Sequence, residues 1–230
     1  MKQILIASSN PGKIREIKEI LKGVPFELKT MDEIGFNEEI PETGETFEEN
    51  AIIKAKTIGE KTKLLTLAED SGLEVDALEG RPGIYSARYA NGSDLNRIDK
   101  LLKELKRIPK EKRTARFRAV VALYIPTSVI PNASEGSLAD ASSDKLRDSS
   151  APLRFARNDN SIRIVTFEGI SKGYITGKII GNNGFGYDPI FYNLDLGKTN
   201  GQASIEEKNR VSHRARALKR VKDFLLKAKF

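Results

Sequence analysis

Residues 65–88 read LTLAEDSGLEVDALEGRPGIYSAR. The stretch begins inside an apolar run, residues 64–68, that predicts a short buried strand. Glu69, Asp70, Ser71 and Gly72 follow, and they predict a turn because Asp, Ser and Gly dominate turns. Two adjacent carboxylates and a hydroxyl also suit Mg²⁺, which takes carboxylate oxygens together with substrate phosphates. On these residues alone the solvated turn is the simpler interpretation.

The N-terminal segment has the pattern of a strand, a turn and a helix start. The apolar run 2–8 predicts a buried strand, and Asn10 or Ser9 suits the N-cap of a helix whose first position is Pro11. Unpaired N–H groups at such a helix start favour an anion. Lys13 lies in the first turn, where a cation opposes the helix dipole but would help to hold a phosphate. The sequence lacks the G-x-x-x-x-G-K-[ST] pattern of a P-loop.

Thr46 and Glu49 have the spacing of a capping box, which predicts a helix that runs to about residue 61. An acidic loop that contains Glu42 precedes this helix. Lys54 falls on the same helical stripe as three apolar residues: Phe47, Ala51 and Ile58. The simplest explanation for a lysine on that face is a side chain that snorkels to solvent.

The rest of the chain alternates between helix and strand patterns. Residues 94–106 are amphipathic and predict a helix, while residues 114–125 alternate and predict a strand. Strand patterning resumes at 162 and continues to 180, which predicts an antiparallel arrangement. Residues 126–160 are rich in Ser, Ala, Asp and Asn without a sustained period, so they predict a mobile insertion within a hairpin, with room for a short helix near 138–146.

Two segments near the C-terminus suit a flat or anionic ligand. Residues 181–191 read GNNGFGYDPIF, which is either a flexible turn or a loop that lets backbone and an aromatic ring approach a ligand. Ser212 caps the last helix and places His213 and Arg214 in its first turn. Cations thus recur at helix starts, here and at Lys13, which suggests a shared anion; plain surface charge is the alternative.

Composition narrows the function classes. The 230 residues are 39% hydrophobic and 31% charged, as in a soluble globular protein, with no apolar run near the roughly 20 residues that cross a bilayer. The N-terminal apolar run is too short for a signal peptide. Cysteine is absent, which excludes disulfides and thiolate chemistry and fits a cytoplasmic protein, and a single histidine excludes multi-histidine metal sites. The net charge of +7 raises the possibility of nucleic-acid binding.

Six stretches, in this order, resemble the inosine triphosphate pyrophosphatase family, which removes non-canonical purine nucleotides. They are residues 7–13 (ASSNPGK), 41–44 (PETG) running into 46–51 (TFEENA) and 54–55 (KA), 68–73 (AEDSGL), 82–89 (PGIYSARY), 184–191 (GFGYDPIF), and 207–208 (EK) with 212–214 (SHR). The resemblance implies one α/β domain over residues 1–230, with an elongated mixed β-sheet and flanking helices that form two lobes around a central cleft. It also implies a homodimer, Mg²⁺ dependence, and hydrolysis of ITP, dITP and XTP to the monophosphate and pyrophosphate.

The resemblance also implies roles for individual residues. Asp70 binds Mg²⁺ and acts as, or orients, the base for the attacking water; Glu42 is the expected second metal carboxylate, with Glu69 as the next candidate. The residues expected to bind the triphosphate are Ser8, Ser9, Asn10, Pro11, Gly12, Lys13, Lys54 and Ser71. The residues expected to bind the purine are Phe185, Gly186, Tyr187, Asp188, Lys208, His213 and Arg214.

The chain departs from the family pattern at Ser9, where the family often carries glycine, and in the insertion at 126–160. Three alternatives remain open on the sequence. The chain is a nucleic-acid-binding module that uses its basic C-terminal helix, or it is a pyrophosphatase of the related fold that acts on other modified nucleotides. The third alternative is an enzyme that the insertion has inactivated. A nucleotide panel and the salt dependence of binding separate these alternatives.

Overall fold

The computed structural model describes residues 2–126, 154–158 and 162–228. Its helices are α1 (Pro11–Ile20), α2 (Phe47–Thr62), α3 (Asp94–Glu104), α4 (Ile205–Val211) and α5 (His213–Lys227). Its strands are β1 (Gln3–Ala7), β2 (Glu27–Thr30), β3 (Leu65–Val75), β4 (Thr114–Pro126), β5 (Arg154–Asn158), β6 (Ile162–Ile175), β7 (Phe191–Asn193) and β8 (Lys198–Thr199). None of the helices in these ranges is long and apolar enough to span a membrane.

The strands form one mixed sheet in the order β2-β1-β3-β4-β6-β7-β8, and β5 pairs with β6. Strand β1 runs parallel to both neighbours, with Ile4 opposite Leu28 of β2 and Leu65 of β3. The pairs β5–β6, β6–β7 and β7–β8 are antiparallel. The predicted α/β architecture, a mixed β-sheet with flanking helices, is therefore confirmed.

The chain divides into two compact units. Unit 1 consists of Met1–Glu69, Val120–Glu168 and Ala217–Phe230, and unit 2 of Asp70–Ala119 and Gly169–Arg216. Each unit has its own apolar core. The core of unit 1 includes Ile4, Ile17, Leu67, Val121 and Leu218. The core of unit 2 includes Leu73, Ile98, Leu101, Phe117 and Phe191.

Local signals account for the helix starts. Asn10 caps α1, because its Oδ1 accepts the N–H of Lys13 at 3.1 Å, and Pro11 occupies the first helical position. Thr46 and Glu49 form the predicted reciprocal capping box at the start of α2. Ser212 precedes α5, and its Oγ accepts the N–H of Ala215 at 3.1 Å.

Two predictions about the elements are wrong. Residues 69–72 do not turn; they continue β3, which runs without a break to Val75. The strand pattern predicted over 162–180 is too long, because β6 ends at Ile175. Directly after it, the hydroxyl of Thr176 donates to the carbonyl groups of Lys178 and Ile190.

The predicted insertion lies mostly outside the described residues, which omit 127–153 and 159–161. Within it, Arg154–Asn158 forms β5, which pairs with residues Ile162–Thr166 of β6. The absence of a sustained period therefore concealed one strand. The proposed short helix near 138–146 falls on residues that the structure does not describe. Strands β4 and β6 are neighbours in the sheet, as predicted from their alternation.

Candidate functional site

Two side-chain hydrogen bonds close the turn at the start of α1. Ser8 Oγ accepts the N–H of Asn10 at 3.2 Å, and Asn10 Oδ1 accepts that of Lys13. The side chain of Lys13 then reaches Glu69, with Nζ 3.6 Å from Oε1. Glu69 is a buried carboxylate on β3, the strand next to β1. The predicted phosphate loop is thus joined to Glu69 through Lys13.

Lys54 joins the same group of charges in unit 1. Its Nζ donates to Glu42 Oε1 at 2.9 Å and to the main-chain carbonyl of Glu69 at 3.0 Å. Only 13% of the Lys54 side chain is exposed, so it does not snorkel to solvent. The interpretation of Lys54 as a side chain that snorkels to solvent is therefore wrong. Two lysines and two glutamates, Lys13, Lys54, Glu42 and Glu69, form one cluster, which we call the lysine–glutamate cluster.

The acidic loop that carries Glu42 is anchored to α2. Asn50, which is completely buried, accepts the N–H of Gly44 at 2.8 Å through its Oδ1. A Cβ atom on Gly44 would lie 2.6 Å from Cβ of Glu49, so the loop approaches the helix more closely than another residue allows. Since Asn50 and Lys54 are one turn apart on α2, the helix holds the loop at two points.

Asp70 and Ser71 begin the part of β3 that belongs to unit 2. Asp70 is only 6% exposed, and its Oδ1 accepts the N–H of Ser71 at 3.1 Å. Ser71 Oγ in turn accepts a hydrogen bond from Nη2 of Arg214 at 3.3 Å. Ser71 and Arg214, which the family resemblance assigns to different ends of a nucleotide, are therefore in contact.

The predicted purine-binding residues come together in unit 2 around the ring of Phe185. Lys208 Nζ lies 4.6 Å from the ring centroid and 2.6 Å from Asp188 Oδ2, and Arg214 Cζ lies 5.5 Å from the same ring. Asp188 Oδ2 also accepts the main-chain N–H of Phe185 at 2.9 Å. Asp188 and Lys208 are 2% and 4% exposed. We call these four residues the Phe185 cluster.

Tyr187 and His213 are buried, and each ring contacts other residues of the protein. Tyr187 is buried, and its hydroxyl donates to the carbonyl of Ser86 at 3.0 Å. Burial raises the pKa of the Tyr187 hydroxyl well above its ordinary value. His213 stacks on Phe117, with centroids 4.8 Å apart and an angle of 12° between the rings. Phe185 is therefore the ring in this loop that suits a flat ligand, and the binding roles of Tyr187 and His213 stay predictions.

Sequence reasoning missed the residues that hold the 185–188 loop. Ser86 Oγ accepts the N–H of Leu73 at 2.9 Å, while its carbonyl accepts the Tyr187 hydroxyl, so it joins β3 to the loop. Asp94 Oδ2 accepts the N–H of Gly186 at 2.7 Å. The stretch 82–89 was noted as a motif, but nothing in its residue types marked Ser86 as the contact residue.

The sequence of this chain matches the model of a known protein family. A family model described as the Ham1 family matches residues 4–146 and 150–224. The chain belongs to the Ham1 family. The six stretches identified in the sequence all lie within these two ranges, so the resemblance that they indicated is confirmed.

Ham1 relatives of similar length match the chain from end to end. A protein of Bacillus subtilis called dITP/XTP pyrophosphatase is 43% identical over 227 residues, which cover 98% of each chain. The structure of a HAM1 protein from Coxiella burnetii aligns with a TM-score of 0.77 at 34% identity, over 99% of this chain and all of that one. The Staphylococcus aureus Ham1 structure aligns with a TM-score of 0.73 at 36% identity, over 97% of this chain and 98% of that one.

Proposed function

We propose that this protein hydrolyses the non-canonical purine nucleoside triphosphates ITP, dITP and XTP to their monophosphates and pyrophosphate. The observation that carries the proposal is the Phe185 cluster, in which Lys208 lies over an aromatic ring and is held by a buried carboxylate. The ring offers a stacking surface to a purine. The relatives called dITP/XTP pyrophosphatase, similar over nearly the whole chain, support the same activity.

The cations beside Phe185 favour a 6-keto purine. Lys208 and Arg214 are hydrogen-bond donors, and a 6-keto oxygen is an acceptor. Adenine would present an amino donor at that position and leave a protein donor without its partner, at a cost of about 1–3 kcal/mol. Hypoxanthine and xanthine therefore fit this cluster better than adenine does.

The phosphates would bind to the residues of unit 1. Pro11 has no N–H, and the N–H groups of Lys13 and Ile14 are bonded to Asn10. In the first turn of α1 the N–H of Gly12 therefore suits a phosphate oxygen, and Lys13 and Lys54 supply positive charge nearby. Ser9, Pro11 and Gly12 complete that turn. Ser71 Oγ, in contact with Arg214, is a further hydrogen-bonding group in unit 2.

The residues present fit a Mg²⁺ ion that is bound together with substrate. In the lysine–glutamate cluster two lysines face two carboxylates, so these residues alone would leave the added charge of a triphosphate unbalanced. Within the ranges that the structure describes, no three acidic, histidine or cysteine side chains are grouped as a complete metal site. Mg²⁺ commonly takes one or two carboxylates and completes its shell with phosphates and water.

Asp70 and Glu42 are the carboxylates that we propose for this ion. When bound there, Mg²⁺ would neutralise phosphate charge and lower the pKa of bound water. The chain's own residues would orient the phosphates through the N–H of Gly12 and the side chain of Lys13, hold Glu42 in place through Lys54 and Asn50, and accept or direct a proton at Asp70. The nucleotide could then be attacked in line at the α-phosphorus.

The test is pyrophosphate release from a nucleotide panel, with Mg²⁺ and with the metal chelated. We expect rapid Mg²⁺-dependent release from ITP, dITP and XTP and slow release from ATP and GTP. Orthophosphate as the product, or equal turnover of ATP, would contradict the proposal. High activity after chelation would contradict the metal requirement alone.

The contacts of α5 speak against nucleic-acid binding as the main function. Three of its basic side chains donate to main-chain carbonyls: Lys222 to Lys22 at 2.6 Å, Arg220 to Glu168 at 3.3 Å, and Arg216 to Ile170. Their charges therefore contribute to the fold of the protein instead of forming an open basic face. Retention on a nucleic-acid column that does not change with salt would not support nucleic-acid binding, because contacts to phosphates weaken steeply as the salt concentration rises.

A further inference from the structure

A series of buried side-chain hydrogen bonds ends at Asp188. Asn200 Nδ2 donates to Asp188 Oδ1 at 3.0 Å, and Asn193 Nδ2 donates to Asn200 Oδ1 at 3.0 Å. Asn193 Oδ1 accepts the main-chain N–H of Asp195 at 3.0 Å, and Asn193 Nδ2 also donates to Ser171 Oγ at 3.2 Å. Asn193 and Asn200 are 0% and 1% exposed. We call the connected residues Asn193, Asn200 and Asp188 the amide chain.

The direction of each amide in this chain is determined by its neighbours. The main-chain N–H of Asp195 can only donate, so Asn193 must present its oxygen there and its nitrogen to Asn200. Asn200 must then accept with its oxygen and present its nitrogen to Asp188. A rotated amide at either position would place two donors or two acceptors face to face.

The far end of the amide chain determines where Lys208 lies. One oxygen of Asp188 bonds Asn200, and the other accepts both Lys208 Nζ and the N–H of Phe185. The carboxylate plane is thus held from both sides. Because Lys208 also lies over the ring of Phe185, a rotation of Asp188 would move the ammonium group relative to that ring.

We propose that Asn200 is a positioning residue for purine recognition, which acts by orienting Asp188 and, through it, Lys208. The proposal rests on the proposed function, because it takes the Phe185 cluster as the purine site. A neutral donor is needed at this place: an apolar side chain would leave one oxygen of Asp188 without the amide donor and one N–H of Asn193 without its acceptor, and a carboxylate would repel Asp188.

The test is Asn200→Asp, which preserves the shape of the side chain and its acceptor for Asn193. At alkaline pH the introduced carboxylate faces Asp188, and we expect KM for ITP to rise about tenfold, the size of one lost hydrogen bond to a charged group. We expect kcat to stay near the wild-type value, because the variant leaves the phosphate-side residues unchanged. As the pH falls, the introduced carboxyl takes up a proton and can donate to Asp188 again, so KM should return towards wild type.

The charged groups around the introduced carboxyl decide the pH range of this recovery. Asp188 faces it directly and favours its protonated form, whereas Lys208, on α4 and bonded to Asp188, opposes that effect. Arg214 of α5 lies across the Phe185 ring, and Asn193 and Ser171 on the sheet side are neutral. A purely structural role for Asn200 would lower thermal stability without a pH-dependent change in KM.

Asn96→Asp is the matched control, because this amide oxygen already accepts the N–H of Ser93 at 2.9 Å and the change adds the same charge on α3. Its KM should follow the wild-type pH profile. If Asn200→Asp does not fold, Asn200→Ala replaces it, with an expected rise in KM that does not depend on pH. A wild-type KM in the Asn200 variant, or a fall in kcat alone, would overturn the proposal.

Calorimetric binding of ITP separates failure of this proposal from failure of the proposed function. If the wild-type protein binds ITP without releasing pyrophosphate, the proposed activity is wrong, and the Asn200 comparison is made on dissociation constants with the same expected changes. If the wild-type protein neither binds nor hydrolyses ITP, both proposals are overturned. Pyrophosphate release by wild type with an unchanged Asn200→Asp profile overturns this inference alone.

Discussion

At the scale of single residues, Asp70 is the carboxylate on which the proposed chemistry depends most. It is buried on β3, and its Oδ1 accepts the N–H of Ser71. An amide in its place keeps the shape and can accept the same hydrogen bond, but it loses the negative charge that a metal or a proton requires. The change therefore separates charge from packing.

We expect Asp70→Asn to lose more than about 90% of kcat, a barrier increase above about 1.4 kcal/mol, while ITP still binds. Steady-state pyrophosphate release and calorimetric binding measure the two effects. Asp76→Asn is the control, since that carboxylate contacts Thr114 and Arg116 near the end of β3 and has no proposed role in catalysis. Retention of a tenth or more of kcat by Asp70→Asn would show that Asp70 has been given the wrong role.

Gly184 also has a requirement that a single substitution tests. Its φ is +77°, and a Cβ atom there would lie 2.1 Å from Asp188 Oδ2. Gly184→Ala should cost about 1 kcal/mol for the backbone conformation and should also displace Asp188, with a rise in KM for ITP. Gly197→Ala has a similar φ of +66° with no atom within 4 Å of the added group, so it should lose stability without a change in KM. Equal KM values in the two variants would contradict the contact with Asp188.

At the scale of elements, the basic residues of α5 stabilise the ends of other elements. Lys222 Nζ donates to the carbonyls of Ile20 and Lys22, at 3.3 and 2.6 Å, where α1 ends. The last carbonyl groups of a helix have no partner within it, and a cation there also interacts favourably with the helix dipole. Lys222 therefore accounts for one of the positive charges of the chain through its hydrogen bonds to the carbonyl groups at the end of α1.

Lys222→Met removes this contact and keeps most of the aliphatic side chain. We expect a loss of about 0.5–1.5 kcal/mol in the free energy of unfolding, the size of an ordinary hydrogen bond. Urea denaturation measures it, and Lys227→Met, at an exposed position of the same helix, serves as the control. A loss of the same size in both variants would mean that charge alone, and not the carbonyl contact, is responsible.

At the scale of the whole molecule, residues 127–153 contain none of the residues assigned to the Phe185 cluster, the lysine–glutamate cluster or the α1 turn. We expect their replacement by a short Gly-Ser linker that keeps β5 to leave kcat/KM for ITP within a few-fold of wild type. Loop length has a small entropic cost, about 0.6 kcal/mol per doubling. Pyrophosphate release and sedimentation analysis test the variant. A loss of activity, or a change in oligomer size relative to wild type, would contradict this expectation.

The same sedimentation measurement tests the homodimer that the family resemblance implies. A homodimer stays a prediction, and the wild-type mass in solution decides it. A monomer with full activity would show that the residues of one chain are sufficient for the proposed reaction.

The sequence by itself determined the features whose partners lie within a few residues. The Asn10 cap of α1, the Thr46–Glu49 capping box and the Ser212 cap each depend on contacts over about three positions, so residue spacing was enough to predict them. The order of the six motif stretches along the chain likewise indicated the family. These features follow from local hydrogen bonding and from residue identity, which the linear chain contains in full.

Only the tertiary structure decided the features that depend on partners far along the chain. Glu69 and Asp70 look like turn residues, yet pairing within the sheet keeps them in β3, because tertiary context overrides local propensity. Lys54 looks like a snorkelling side chain until Glu42 and the carbonyl of Glu69 lie beside it. Ser86 meets Tyr187 across 101 positions. Asn200 contacts Asp188 only because folding brings the two side chains together in a buried place, where every polar group needs a partner.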